Sequence, residues 1–328
     1  MYACGGKKML NMMILEILRK HSDEQHRLTQ KEIIRYLKSI YGITCDRRSV
    51  RSNVEALQEM GYDIETRPGY ALISRTFDNA ELRMLIDSVL FARGLSAAQA
   101  ERLVGKLKAI GSDYFQPKVS HVVHLPKLHH AENAQVMISL DVLNDAIETK
   151  RKVRFTYNRC GTDFRLHPRR EEPYVVNPYQ LVAQNGWYYL IGNYDAYDNI
   201  SHYRLDRITG IEMLSEPRKP KKDIGELARG FSLPRHMAEH IYMFSGKSVT
   251  VRLRTEVSMM DSLTDWFGRD FHIHPKGDGR IIVTLRCNEE AMKYWALQFG
   301  AYVEIIEPEH LREALKNVLL RMCSLYGV

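Results

Sequence analysis

Apolar residues Leu10, Ile14, Ile17 and Leu18 recur at the three- and four-residue spacing of an amphipathic helix. Thr29 stands as a cap before a second helix whose Ile33, Ile34 and Leu37 form an inner face, and Tyr41-Gly42 supplies a C-terminal stop. Asp46 then caps a third helix in which Val50, Val54 and Leu57 share one face at i, i+4 and i+7. From Gly61 to Ile73 polar and apolar residues alternate around Pro68-Gly69, the pattern of a hairpin with a tight turn. Helix, helix, helix and hairpin in that order predict a winged helix-turn-helix over residues 1–75.

Past this point the period of the pattern changes twice. Asp78-Asn79-Ala80-Glu81 reads as a capping box for a helix carrying Leu82, Leu85, Ile86 and Val89 and ending at Gly94. A second helix starts at Ser96 with Leu103, Leu107 and Ile110 as its stripe, and Gly111 to Gln135 reads as an extended linker, so residues 76–138 are expected to be a helical connector. After a helix from Leu140 to Lys150, alternation of period two takes over. Val153, Phe155 and Tyr157 fall on one strand face, and further strands run through Tyr174–Val176, Tyr179–Ala183, Trp187–Ile191 and His202–Leu205, with Asn185-Gly186 as a hairpin turn. Many short strands with one helix predict a small Sm- or SH3-like β-barrel over residues 139–216.

Residues 217–244 read as a linker with a short helix at Ile224–Arg229. Residues 245–328 alternate as strand, helix, strand, strand, helix, strand, the βαββαβ order of a ferredoxin-like unit, followed by a last helix begun by Pro308. The fold class expected is therefore α+β and multidomain.

Charge sharpens the reading of the first segment. The chain carries a formal +7, and residues 1–75 hold 13 Lys and Arg against 9 Asp and Glu, a net +4 in under a quarter of the length. On the third helix Arg47, Arg48, Ser49, Arg51, Ser52 and Asn53 lie in its first two turns, where a recognition helix meets phosphates and base edges of double-stranded DNA, and Arg67 sits at the tip of the wing. Asn53 could instead turn toward the helix scaffold. The competing reading is a merely solvated arginine helix.

The blocks Asn177-Pro178-Tyr179, Trp187-Tyr188-Tyr189-Leu190 and Tyr203-Arg204-Leu205-Asp206-Arg207-Ile208 resemble the WYL domain, over about Leu140 to Leu214. One extra Tyr separates Trp187 from Leu190, so either Tyr188-Tyr189-Leu190 fills the motif or Trp187 is displaced to the turn. The resemblance implies a WYL domain-containing transcriptional regulator, with a C-terminal WCX-like extension and a pocket for an anionic effector: a nucleotide, a cyclic oligonucleotide or a single-stranded nucleic acid. Tyr157, His202, Tyr203, Arg204 and Arg207 are the effector-binding candidates, because Arg forks grip phosphate and aromatic faces stack bases. Strict strand alternation would divide His202 and Arg204 from Tyr203 unless the chain turns near Asp206. Arg204 or Arg207 could also simply pair with Asp206, Glu171 or Glu172, and Arg169 and Arg170 are weaker candidates. The N-terminal segment resembles the winged helices of DeoR-type regulators.

Other classes find less support. There is no Walker-type glycine loop, no His-Glu-x-x-His and no Gly-x-Ser-x-Gly, so no enzymatic activity and no cofactor are expected. A nucleic-acid-processing enzyme or an RNA-binding sensor or adaptor remains the alternative. His121, His124, His129 and His130 lack acidic or thiolate partners at ligand spacing, and no metal is expected. Residues Met1–Lys8 lack the apolar core of a signal peptide, no run approaches the ~18 apolar residues of a membrane span, and the cysteines are far apart. A cytoplasmic homodimer with reduced thiols is the expectation.

Overall fold

A computed structural model describes residues 9–115, 133–228 and 230–327. The four histidines between 121 and 130 lie outside the described residues. The chain divides into two compact units, Met1–Ala134 and Gln135–Val328.

In the first unit α1 (Leu10–His21), α2 (Gln30–Tyr41) and α3 (Arg47–Glu59) form around one apolar cluster. Their ends are set by local chemistry. The Thr29 hydroxyl accepts from the Glu32 amide while the Glu32 carboxylate accepts from the Thr29 amide, and α2 stops at Gly42 in the left-handed region, φ 70°. Asp46 accepts from the Ser49 amide at 2.7 Å and starts α3. Strands β1 (Ile64–Glu65) and β2 (Ala71–Leu72) make the short wing. Its base is tied to the α1–α2 loop by reciprocal 2.8 Å backbone bonds between Leu28 and Tyr70. Gly69 fits closely there: a Cβ on it would sit 3.1 Å from the Arg27 Cβ and 3.2 Å from the Leu28 carbonyl.

Helices α4 (Asn79–Phe91) and α5 (Ala97–Ile110) belong to the same unit and pack on each other. Both have the expected N-terminal caps, Asp78 with Glu81 and Ser96 with Gln99. The face of α5 differs from expectation. Ala100 and Val104 are buried, with Leu107 partly covered, while Ile110 is 48% exposed. Val104 and Leu107 pack with Leu82 and Ile86 of α4, so helix–helix contact rather than side-chain size selects the face.

The second unit begins with α6 (Val136–Glu148), four residues earlier than Leu140 suggested, because Val136 and Ser139 join its buried face. A curled six-stranded sheet follows: β3 (Arg151–Cys160), β4 (Leu166–Pro168), β5 (Tyr174–Gln184), β6 (Trp187–Tyr194), β7 (Ser201–Arg204) and β8 (Ile208–Pro217). The strand order is β4-β3-β5-β6-β7, with β8 also paired to β3. Asn185 and Gly186 turn at φ 51° and 79°, as the hairpin requires. Pro178 does not separate two strands. It lies inside one bent strand, β5, where the register shifts between Pro178 and Gln180, and a bulge is a place where a sheet tolerates proline. The facing Gly192 has no room for a side chain, since a Cβ would lie 2.7 Å from Val176 Cγ1.

Two apolar layers sandwich this sheet. On one side Leu143 and Ala146 of α6 pack against Val153, Phe155, Leu190 and Leu205. On the other, Tyr179, Val182, Tyr189 and Ile191 pack against Ile224, Leu227 and Met243 of the segment that follows β8. That segment contains α7 (Gly225–Ala228) and α8 (Leu233–Glu239) and is strapped to β5, with Tyr179 donating to the Lys219 carbonyl at 2.8 Å and the Lys219 amide donating to Asn177 Oδ1 at 2.8 Å.

The C-terminal module is β9 (Ser248–Glu256), α9 (Met260–Phe267), β10 (His272–Pro275), β11 (Arg280–Asn288), α10 (Glu289–Gln298) and β12 (Glu304–Glu307), then α11 (Glu309–Leu325). The antiparallel order β10-β11-β9-β12 is the ferredoxin-like arrangement the sequence predicted. Trp295, fully buried, stacks edge-on against Phe267 at the centre of its core. Among the described residues no helix is long and apolar enough to cross a membrane, and Cys45, Cys160, Cys287 and Cys323 are free.

Candidate functional site

On α3 the geometry separates the predicted residues into two groups. Arg47 and Arg48 are exposed in the first turn, with no carboxylate at ion-pair distance among the described residues. Ser52 is exposed beside them, Ser49 half-buried, and Arg67 is exposed on the wing. Arg51 instead pairs with Glu55 at 2.8 Å, and Asn53 donates from Nδ2 to the Ser49 carbonyl at 2.8 Å, turned onto its own helix. The exposed guanidiniums of α3 without a carboxylate partner among the described residues, Arg47 and Arg48, therefore stand at the N-terminal end of the helix, where its dipole also favours anions.

The second unit holds a cavity of about 640 Å³ at one end of the curled sheet. All five effector candidates, Tyr157, His202, Tyr203, Arg204 and Arg207, line it. The chain does turn: a 3₁₀ turn over Leu205–Arg207 follows β7 at once and brings Arg207 round to the side that Arg204 faces. Asn158 holds this turn by donating to the Arg207 carbonyl and the Thr209 hydroxyl, both at 2.9 Å. Tyr157, Tyr174 and Tyr203 form the floor over the buried Phe155, the four ring centroids 5.3 to 6.3 Å apart and mostly edge-on.

Each arginine has a distinct setting. Arg204 lies 3.6 Å above the Trp187 ring and grips Asp206 with two bonds of 3.0 and 2.9 Å, while its amide donates to the Tyr157 hydroxyl. Trp187, half-buried at the start of β6, thereby serves as a platform for it. Arg170, read as a weak candidate, lies 3.6 Å over Tyr174 and 4.9 Å from Tyr194 and donates to the Glu172 and Pro173 carbonyls and the Tyr194 hydroxyl. Arg169 stands 5.1 Å over Tyr157. Among the described residues Arg169, Arg170 and Arg207 have no carboxylate within ion-pair distance, and all three line the cavity.

Burial pushes the Tyr203 hydroxyl up to about 12 and raises that of Tyr189, so both stay neutral donors over the physiological range. Such phenols do not repel an anion. The arrangement offers planar cation forks for phosphate oxygens and ring faces for bases.

Two further residues escaped the sequence reading. His236 and His240 of the segment after β8 lie against His202, and one ring nitrogen from each falls within 4.8 Å of the others. Burial drives all three imidazoles toward the neutral form, His236 to about 4. The spacing His-x-x-x-His was the available signal, but it stood in a stretch without a strong apolar period. On the C-terminal module, Arg252 and Arg254 pair with Glu307 and Glu304, and Arg286 pairs with Glu239.

Family comparisons agree with this layout. The model for the WYL domain matches residues 139–213 and that for the WCX domain matches residues 247–323. Among solved structures, the proteasome accessory factor B/C (PafBC) of Arthrobacter aurescens is similar, with 16% identity and a TM-score of 0.29 over 95% of this chain and 47% of that one. The chain thus spans less than half the length of that relative. A CRISPR Cas-related protein is similar over 77% of this chain and 75% of that one, at 14% identity and a TM-score of 0.41. No curated protein matches the chain.

Proposed function

We propose that this chain, which carries a WYL domain followed by a WCX domain, is a DNA-binding transcription regulator whose WYL cavity takes a nucleotide-like or oligonucleotide anion as effector. One observation supports this reading above others: Arg169, Arg170 and Arg207 converge with neutral phenols in a single cavity and leave their charge unneutralised by carboxylates among the described residues. Half-buried arginines such as Arg170 and Arg207 are ordinarily matched by acids, so an unmatched pair facing an aromatic floor, with the exposed Arg169 beside it, suits a ligand that brings the negative charge itself. Arg204, clamped to Asp206 and Trp187, positions the wall rather than supplying free charge.

Supporting the DNA half of the reading are the exposed Arg47 and Arg48 at the start of α3, the capped helix that presents them, and the wing behind. Proteins of this motif commonly act as dimers on two half-sites about one helical turn apart, and a homodimer is part of the proposal. Fluorescence anisotropy with short single-stranded oligonucleotides and cyclic dinucleotides tests the cavity. Arg207→Ala is expected to weaken that binding at least tenfold, about 1.5–3 kcal/mol for a charge-assisted contact, while duplex binding persists. Arg47→Ala with Arg48→Ala should do the reverse. Unchanged oligonucleotide affinity in Arg207→Ala would remove the cavity from the account.

A further inference from the structure

We propose that His202, His236 and His240 together bind one divalent transition-metal ion, zinc in the first instance, and so clamp the segment after β8 onto the WYL sheet. This goes beyond the effector reading and does not depend on it. His202 comes from β7, whereas His236 and His240 stand four residues apart at the C-terminal end of α8, the spacing that puts two side chains on one helical face. The rings are closely packed, with centroids 5.1 Å (His202–His236), 5.0 Å (His202–His240) and 4.1 Å (His236–His240) apart. His236 and His240 are 8% and 2% exposed. Two imidazoles so buried, with the half-buried His202 against them, are unusual, and their hydrogen bonding does not close.

The accounting is specific. Nε2 of His202 and Nε2 of His236 face each other at 2.8 Å, so one must carry the proton and the other a lone pair. Where His202 is the donor, its buried Nδ1 has a lone pair with no partner among the described residues. His240 Nδ1 lies 2.9 Å from the Phe244 carbonyl, which can only accept, so Nδ1 carries the proton and Nε2 is left with its lone pair, the Ser248 hydroxyl standing off at 3.5 Å. A histidine whose second nitrogen donates to a backbone carbonyl is in the tautomer and orientation of a metal ligand. A cation accepting one lone pair from each ring takes up the open Nε2 lone pair of His240 and replaces the 2.8 Å contact between His202 and His236.

Geometry and chemistry select the ion. Nitrogens bound at the Zn–N distance in a tetrahedral site lie roughly 3.3 Å apart. The candidate nitrogens, all within 4.8 Å of one another, need only side-chain adjustment to reach that spacing. Three imidazoles without thiolate or carboxylate suit zinc, copper, nickel or cobalt and disfavour magnesium and calcium. The neighbouring cations Arg235 and Arg286 are both paired with Glu239, which limits their repulsion of a metal. Three protein ligands leave a coordination position for water or an anionic oxygen.

The test uses the full chain, stripped with a chelator and titrated with Zn²⁺ by calorimetry and with Co²⁺ by visible absorption. One equivalent per chain, an intense tetrahedral cobalt spectrum and a rise in Tm with Zn²⁺ are expected, with affinity falling at least 100-fold in His236→Ala and His240→Ala. A variant lacking His121, His124, His129 and His130 should bind as well as the wild type. Three results overturn the proposal: no tight equivalent in the wild type, only the weak spectrum of octahedral surface cobalt, or loss of binding in the four-histidine variant instead. The cobalt spectrum of the wild type decides the matter even if the alanine variants fail to fold.

Discussion

Single residues in the second unit show how polar groups are used to build the cavity rather than to fill it. Asn177 and Asn193 are fully buried and bond to each other, and Asn193 donates to the Tyr197 and Asn199 carbonyls, fixing the loop beyond β6. Asp195 in that loop accepts from Asn177 and from Lys152, both at 2.8 Å, and these contacts hold its carboxyl below the ordinary 3.8. A folded-state value lower than the unfolded one contributes stability above the unfolded value, and this contribution fades as pH falls through the folded value. Asp195→Asn is therefore expected to lower the urea midpoint at neutral pH, with the gap to wild type closing in acid. A gap that widened below about pH 4 would contradict the role assigned to these bonds. Arg51 and Asn53 have contacts that residue type and spacing alone did not give: Arg51, still exposed, pairs with Glu55, and Asn53 donates to the Ser49 carbonyl.

Elements were legible in the sequence where their signals are local. The caps at Thr29, Asp46, Asp78 and Ser96 act within three residues, and helices start where they stand. Features set by contact between elements were not. The buried face of α5 follows from α4, and β5 runs through Pro178 because its partner strand places Gly192 opposite the bulge. Gly192→Ala should cost about 1–3 kcal/mol by overpacking against Val176, read as a lowered denaturation midpoint. On α5, Val104→Ala should destabilise by about 1–3 kcal/mol while Ile110→Ala stays within about 0.5; equal effects would reinstate the stripe through Ile110. The same limit governs the site. Arg204 and Arg207 stood in a recognisable block, but Arg170, His236 and His240 acquire their places only when the sheet curls and the following segment folds back on it.

At the scale of the whole molecule, basic charge is concentrated in the N-terminal segment, and a second cationic centre occupies the other compact unit. Under the proposed function each meets its own polyanion, and linkage demands that any influence of effector on DNA affinity be returned as an equal influence of DNA on effector affinity. Measuring both couplings in one salt buffer checks this, and no change in either affinity would show that the two events are not thermodynamically linked. Replacing Arg47 by Ala should also reduce the slope of log affinity against log salt by about 1, uniformly across duplex sequences, if that side chain neutralises a phosphate.

The setting of Arg170 has a kinetic corollary. Its guanidinium is stacked on Tyr174 and fastened by two carbonyls and a phenol. A side chain already immobilised has little rotamer freedom left to surrender when an anion docks, so such a wall favours long residence over rapid capture.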